Sequence, residues 1–172
     1  VVGEVNNFNQ IEIICNTSRK SNGIEKGKIV NEQKLSESIS YVIKEAEKEM
    51  NMKINSAYIT IPGKYVTIVQ NSVTKEAKDG KIVDDPIGTF SSKFTLNAQI
   101  ILADKDYMRI ITNIFKKVDV DIDGMVPITL AEKNLVLDTI EQKDYVMLLD
   151  IGAETMNIGV FDGERYVYTN SI

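Results

Sequence analysis

Leu148-Leu149-Asp150-Ile151-Gly152-Ala153-Glu154-Thr155 is the stretch on which the fold turns. An apolar strand delivers a carboxylate at its end, a glycine turns the backbone, and Asn157-Ile158-Gly159-Val160 sits in a returning strand. Gly152 would let backbone amides approach a phosphate closely, Asp150 could hold a magnesium ion through water, and Thr155 could add a hydroxyl. The same residues also suit an ordinary β-hairpin with a polar turn. On local pattern alone both readings stand.

Working outward, the chain ends in strands over residues 145–150, 156–161 and 165–169. Before them, Pro127 starts a short helix with Leu130, Ala131, Leu135 and Val136 as its inner side. A strand over 120–126 precedes it. A helix capped by Asp104 carries Tyr107, Met108, Ile111, Ile114, Phe115 and Val118 at helical spacing. The long strand over 93–103 puts Phe94, Leu96, Ala98, Ile100 and Leu102 on one face, which is expected to meet the helices. The clearest helix spans 32–50, with Leu35, Ile39, Val42, Ile43, Ala46 and Met50 as its stripe, Asn31 as N-cap and Asn51 as left-handed C-cap. Strands over 54–61 and 65–73 follow it, separated by a Pro62-Gly63 turn. The chain opens with a hairpin, residues 1–5 and 11–15, turned by Asn6-Asn7-Phe8-Asn9, then a polar loop over 17–27 and a strand stub over 28–30. Helices alternating with strands that also form hairpins point to an α+β or mixed α/β fold.

The 172 residues carry 20 Lys plus Arg against 25 Asp plus Glu, a formal charge of −5, which disfavours sequence-independent nucleic-acid binding. The absence of histidine excludes His-based acid–base catalysis, a Ser-His-Asp triad and His-ligated zinc within the chain. The lone Cys15 reads as a buried small hydrophobe of a reducing compartment. No uncharged apolar run approaches the roughly 20 residues of a membrane span, and no signal peptide opens the chain, so the Asn16-Thr17-Ser18 sequon lacks a secretory context and a cytoplasmic setting is expected. Asp119-Val120-Asp121-Ile122-Asp123-Gly124 opens like a calcium loop, yet Leu130 stands at the twelfth position and Pro127 falls inside it. An alternating half-exposed strand is the better reading.

Asp150-Ile151-Gly152 at a strand end before a returning hairpin resembles the second phosphate loop of the actin/Hsp70/sugar-kinase ATPase superfamily. Within it, the chain resembles the FtsA family of bacterial cell-division proteins. Val2-Gly3-Glu4-Val5 is similar to the second strand of that family's opening hairpin. Ser18-Arg19 with Gly23-Ile24-Glu25-Lys26-Gly27-Lys28-Ile29-Val30-Asn31 resembles its Ser-Arg-Gly-Ile-Lys-Lys-Gly-Val-Ile-Val-Asp segment. Asp85-Pro86-Ile87-Gly88 resembles a turn of its inserted subdomain. The four stretches occur in family order and cover most of the chain.

The resemblance implies a plan: residues 1–28 start an actin-like core, 29–126 form an inserted SHS2-like subdomain of two helices on a small sheet, and 127–172 return to the core with the phosphate loop. It implies ATP with Mg in a full-length parent, contacted through Asp150, Gly152, Ala153, Glu154 and Thr155, with Asp150 on the metal through water. It further implies self-association, contact with other division proteins, and work at the inner membrane face of the division site. FtsZ binding and the membrane-targeting helix would lie in parts beyond this chain, which is expected to be a fragment with at most weak ATPase activity in its parent. Two departures stand out. Ala153, Glu154 and Met156 replace Gly, Gly and Thr of the family loop, and a carboxylate at 154 opposes a triphosphate unless it points away. About 30 family residues between Val73 and Lys81 have no counterpart here. Rival readings are a PilM-like pilus-assembly protein, a sugar or acyl kinase, and an interaction module without ligand.

Overall fold

The structure, a computed structural model, describes residues 1–74, 95–137 and 145–172. Asp85-Pro86-Ile87-Gly88 and Phe94 lie outside the described residues. The chain is a mixture of helices and strands, as the alternating patterns require.

The opening strands β1 (Val2–Val5) and β2 (Ile11–Cys15) pair antiparallel, turned by Asn9 at φ 60°, while the Asn6 side chain accepts from the Phe8 and Gln10 amides. Cys15 is buried at the end of β2. The expected strand stub is β4 (Lys28–Ile29), and within the expected loop over 17–27 a further strand, β3 (Ile24–Glu25), pairs with it in a minimal hairpin around Lys26-Gly27. A two-residue strand leaves no periodicity to read, which is why the pattern misses β3.

Helix α1 (Glu32–Met50) has the expected caps: Asn31 accepts from the Lys34 amide, and Asn51 is left-handed at φ 54°. It lies beside α2 (Lys105–Lys117), whose N-cap Asp104 accepts from Tyr107 N–H at 2.8 Å. Under them β5 (Ser56–Ile61) pairs parallel with β8 (Asp121–Pro127). Ile111, Phe115 and Val120 form the buried centre, closed over by Ile39, Ile43, Ala57, Ile59, Ile122 and Met125. The carboxylates of Asp121 and Asp123 face outward from β8, with the alternation expected of a half-exposed strand.

β6 (Val66–Thr74) and β7 (Thr95–Ala103) make an antiparallel ribbon that leans on the C-terminal sheet. The expected inner face of β7 is overturned here. Ile100 and Leu102 are 46% and 50% exposed, whereas Ile101, 38% exposed, and the half-buried Ala103 line a cleft with Val66, Met108 and Leu130. Residues 100–102 are all apolar, so alternation alone could not choose a face. The choice was made by Gln99, whose side-chain amide donates to Tyr166 O at 2.8 Å and accepts from Tyr166 N–H at 3.1 Å.

The C-terminal sheet is a meander of β9 (Tyr145–Ile151), β10 (Met156–Asp162) and β11 (Arg165–Ser171). Its inner face carries Leu148, Phe161 and Tyr166, with Ile68 and Leu130 packed against them. Helix α3 (Ile128–Val136), entered through Pro127, covers that face. The expected apolar side of α3 is also corrected. Leu135 is 87% exposed, Val136 and Ala131 are exposed, and Thr129 and Lys133 are buried instead. Both polar side chains have partners: Thr129 Oγ1 bonds Tyr166 Oη at 2.6 Å, and Lys133 Nζ donates to Glu164 Oε2 at 3.1 Å. Bonded polar groups can occupy a core position that hydropathy assigns to leucine.

Candidate functional site

The hairpin between β9 and β10 holds all five residues singled out from the sequence. Asp150 is half-buried near the end of β9, Gly152, Ala153 and Glu154 are exposed in the turn, and Thr155 is half-buried where the chain re-enters the sheet. Gly152 N–H donates to Thr155 O at 2.9 Å, closing the turn.

Asp150 is oriented from the neighbouring strands. Asn157 lies directly across the ladder and donates through Nδ2 to Asp150 Oδ2 at 2.8 Å. Ser171, opposite Asn157 on β11, donates its hydroxyl proton to Asn157 Oδ1 at 2.6 Å. Asn157 and Ser171 are both buried, so this relay is shielded from water and holds the carboxylate in one pose.

A second carboxylate, missed in the sequence, comes from α3. Glu132 is half-buried, and burial followed by the charge of Asp150 pushes its carboxyl above the ordinary range. Its Oε2 is sealed from solvent with no hydrogen-bond partner among the described residues. Two acidic groups from different elements thus feel each other's charge, an arrangement that stores repulsion unless a proton or a cation enters. The available signal was a lone glutamate inside a short helix, and nothing in its neighbours tied it to a loop some eighteen positions away.

Glu154 points away from that space. Its Oε2 accepts from Lys26 N–H at 3.1 Å, on the turn between β3 and β4. Lys64, in the 3-10 turn Gly63–Tyr65, donates from Nζ to Lys26 O at 2.9 Å. Burial, then the charge of Lys28, lowers the Lys64 pKa below the ordinary lysine range. Gly27 is required at this meeting point. Its φ is +66°, and a Cβ there would sit 2.9 Å from Lys64 Nζ and 3.0 Å from Thr155 Cγ2. The carboxylate that opposed a phosphate on paper is therefore engaged elsewhere, and the loop is left with Asp150 as its inward acidic group.

No protein-family model matches the chain. It is similar to the cell division protein FtsA of Buchnera aphidicola subsp. Schizaphis graminum, 27% identical over 92% of this chain and 47% of that protein. FtsA of Escherichia coli (strain K12) is 23% identical over 100% of the chain and 50% of its own length. FtsA of Pseudomonas aeruginosa is 21% identical over 94% and 48%. The chain thus spans about half the length of the curated relatives it matches. Among solved structures, a PilM-PilN type IV pilus biogenesis complex covers 99% of the chain and 57% of its own with TM-score 0.64 at 12% identity. The ethanolamine utilization protein EutJ from Carboxydothermus hydrogenoformans covers 87% and 39% with TM-score 0.52 at 9% identity. The resemblance to FtsA read from the four sequence stretches is thereby shown, and the fold is that of actin-like ATPase-fold proteins.

Proposed function

We propose that this chain is part of an FtsA-type division protein, a self-associating actin-like scaffold whose phosphate loop serves a conformational role. Similarity to FtsA proteins along almost the whole chain carries this reading. The division into residues 1–28, 29–126 and 127–172 goes with it. It is supported by the separate apolar centre under α1 and α2, distinct from the cluster of Leu148, Phe161 and Tyr166. Assembly would bring the outer face of 29–126 against a second copy or another division protein. FtsZ and the inner membrane face would be reached through parts of the parent beyond these residues. Among the described residues no helix is long and apolar enough to cross a membrane.

The donor set of the loop fits ATP with magnesium. Glu132 offers an unpartnered sealed oxygen within the field of Asp150, and the opposing charge of Glu154 is directed onto Lys26. Asp150 would take the metal through water, with Gly152, Ala153 and Thr155 lining the phosphates and Glu154 held aside. The bound ion would neutralise the paired carboxylates and the phosphate oxygens together. Turnover would be weak at most.

Titration of MgATP into the full-length parent tests this reading. Gly152→Val and Asp150→Asn are each expected to abolish binding while the melting profile stays close to wild type, and unchanged affinity in both would overturn it. The 172-residue chain alone is expected to bind ATP weakly, because it presents a single phosphate loop. Sedimentation at tens of micromolar is expected to show self-association, through the family contact or through the unpaired edges of the core strands. A second reading, a PilM-like pilus protein, is favoured by the fit of the PilM-PilN structure over 99% of the chain. Binding of the parent to a PilN-type protein, and to no division protein, would select it.

A further inference from the structure

Lys26 is a non-glycine residue at φ 46°, a conformation that persists only when its surroundings hold it. Its peptide groups are gripped from two sides by segments remote in sequence. Glu154 accepts from its N–H, and the Lys64 ammonium donates to its carbonyl. Both bonds involve a charged partner and are stronger than neutral ones. The Lys64 backbone N–H donates in turn to Ser171 Oγ at 3.3 Å, and Ser171 continues through Asn157 to Asp150. Gly63 permits this close seating, since a Cβ there would lie 2.3 Å from Thr169 Oγ1 and 2.6 Å from Asn170 O. Tyr65 completes the junction: it stacks on Tyr107 of α2 at 4.0 Å between centroids, and its carbonyl accepts from Asp104 N–H.

These contacts close a ring: Asp150, Asn157, Ser171, Lys64, Lys26 and Glu154, which returns to the loop that Asp150 opens. We propose that Lys64 is a positioning residue that couples the two carboxylates of this loop, so that the β3–β4 turn and the loop close or open as one. With the ring closed, Glu154 is held on Lys26 and the loop accepts an anion. With the ring open, Glu154 is free to swing back and oppose that anion. Movement at the 3-10 turn between β5 and β6 is thereby converted into a change of charge at the loop. The ligand half of this proposal rests on the phosphate reading above, while the ring itself stands without a ligand.

Amide hydrogen exchange on the 172-residue chain tests the ring first. Lys64→Met is expected to speed exchange at the Lys26 and Gly27 amides by about tenfold, the worth of one lost hydrogen bond, and Lys64→Arg to restore protection. Ser171→Ala breaks the opposite side of the ring and is expected to speed exchange at Lys64 and also at Lys26. Exchange that rises at Lys64 but stays at the wild-type rate at Lys26 would overturn the coupling, leaving two independent contacts. Titration of the full-length parent with magnesium tripolyphosphate, followed through the amide shifts of residues 152–155, tests the ligand half. Lys64→Met is expected to weaken binding about fivefold or more, with recovery in the Lys64→Met/Glu154→Ala double variant, the sign of interacting sites. Equal weakening in the single and double variants would show that Glu154 is not the opposing charge. Absence of shifts in the wild type and every variant would overturn the phosphate reading and this ligand half with it, with the ring judged by exchange alone.

Discussion

The layer of α1, α2, β5 and β8 and the sheet of β9, β10 and β11 solve the same burial problem in different ways. The first has aliphatic and aromatic side chains at its centre, Ile111, Phe115 and Val120, and its buried Ser38 hydroxyl is satisfied within α1 by Lys34 O. The second stacks Phe161 on Tyr166 at 4.9 Å between centroids, then threads bonded polar groups through the same interior: Thr129 onto Tyr166, and Ser171 onto Asn157 and Asp150. An apolar centre is indifferent to small changes of direction at its surface. A polar interior specifies which atom meets which, because every unmet group costs free energy. The element that must aim Asp150 is the one built in the second way.

The largest effects should be alike in the two regions. Phe115→Ala and Phe161→Ala are each expected to lower unfolding free energy by ~3–5 kcal/mol in denaturant titration, as for buried aromatic truncations generally. A loss below ~1 kcal/mol at Phe161 would mean that the sheet has no packed interior of its own. The comparison sharpens one step down. Thr129→Val keeps the shape and removes the 2.6 Å partner of the buried Tyr166 hydroxyl, which should cost ~1–3 kcal/mol, whereas Thr129→Val with Tyr166→Phe should recover most of it. Additive losses in that double variant would break the idea that this interior is set by polar pairing.

The same contrast explains what was legible. Both long helices, their caps at Asn31, Asn51 and Asp104, and the strand alternation of β8 followed from periodicity, because apolar burial writes itself into spacing. The inner residues of α3 and β7 did not. Thr129 and Lys133 are buried, and Gln99 is turned inward, because Tyr166 and Glu164 await them, and those partners are some thirty to seventy positions away. The loop residues 150–155 were found by their order along the chain. The engagement of Glu154 by Lys26 was not, since it depends on a hairpin too short to leave a pattern.

Alkaline titration reaches the first region through Tyr107, while burial also raises the Tyr166 hydroxyl of the second. Burial, with Tyr65 stacked beside it, pushes the Tyr107 hydroxyl up to about 12, against 10.0 ordinarily. The unfolded chain gives up that proton first, so Tyr107's contribution is complete below about pH 10 and fades as pH climbs to about 12. Unfolding free energy should fall over that window by at most ~1.4 kcal/mol per pH unit on account of this group. Tyr107→Phe is expected to flatten the slope, read by denaturant titration at successive pH values. An unchanged slope would show that the ring is not desolvated.

The smallest effect belongs to the loop, and its sign is the informative part. Glu132 has a raised pKa, first from burial and then from the Asp150 charge, so the folded state favours its neutral form. A carboxyl raised in this way gives stability that is complete below its unfolded pKa and lost as pH rises through the folded value. At neutral pH it is a liability that the fold carries. Glu132→Gln, which keeps the shape and removes the charge, should therefore raise stability at pH 7 by less than about 1 kcal/mol, the residue being only half-buried. At acid pH, where the wild-type side chain is itself protonated, the two proteins should melt together. The gain should also shrink in Asp150→Asn, which removes the opposing charge, so that the two substitutions are less than additive. Destabilisation by Glu132→Gln at neutral pH would mean that the carboxylate has a partner, and the two acidic groups would no longer count as one site.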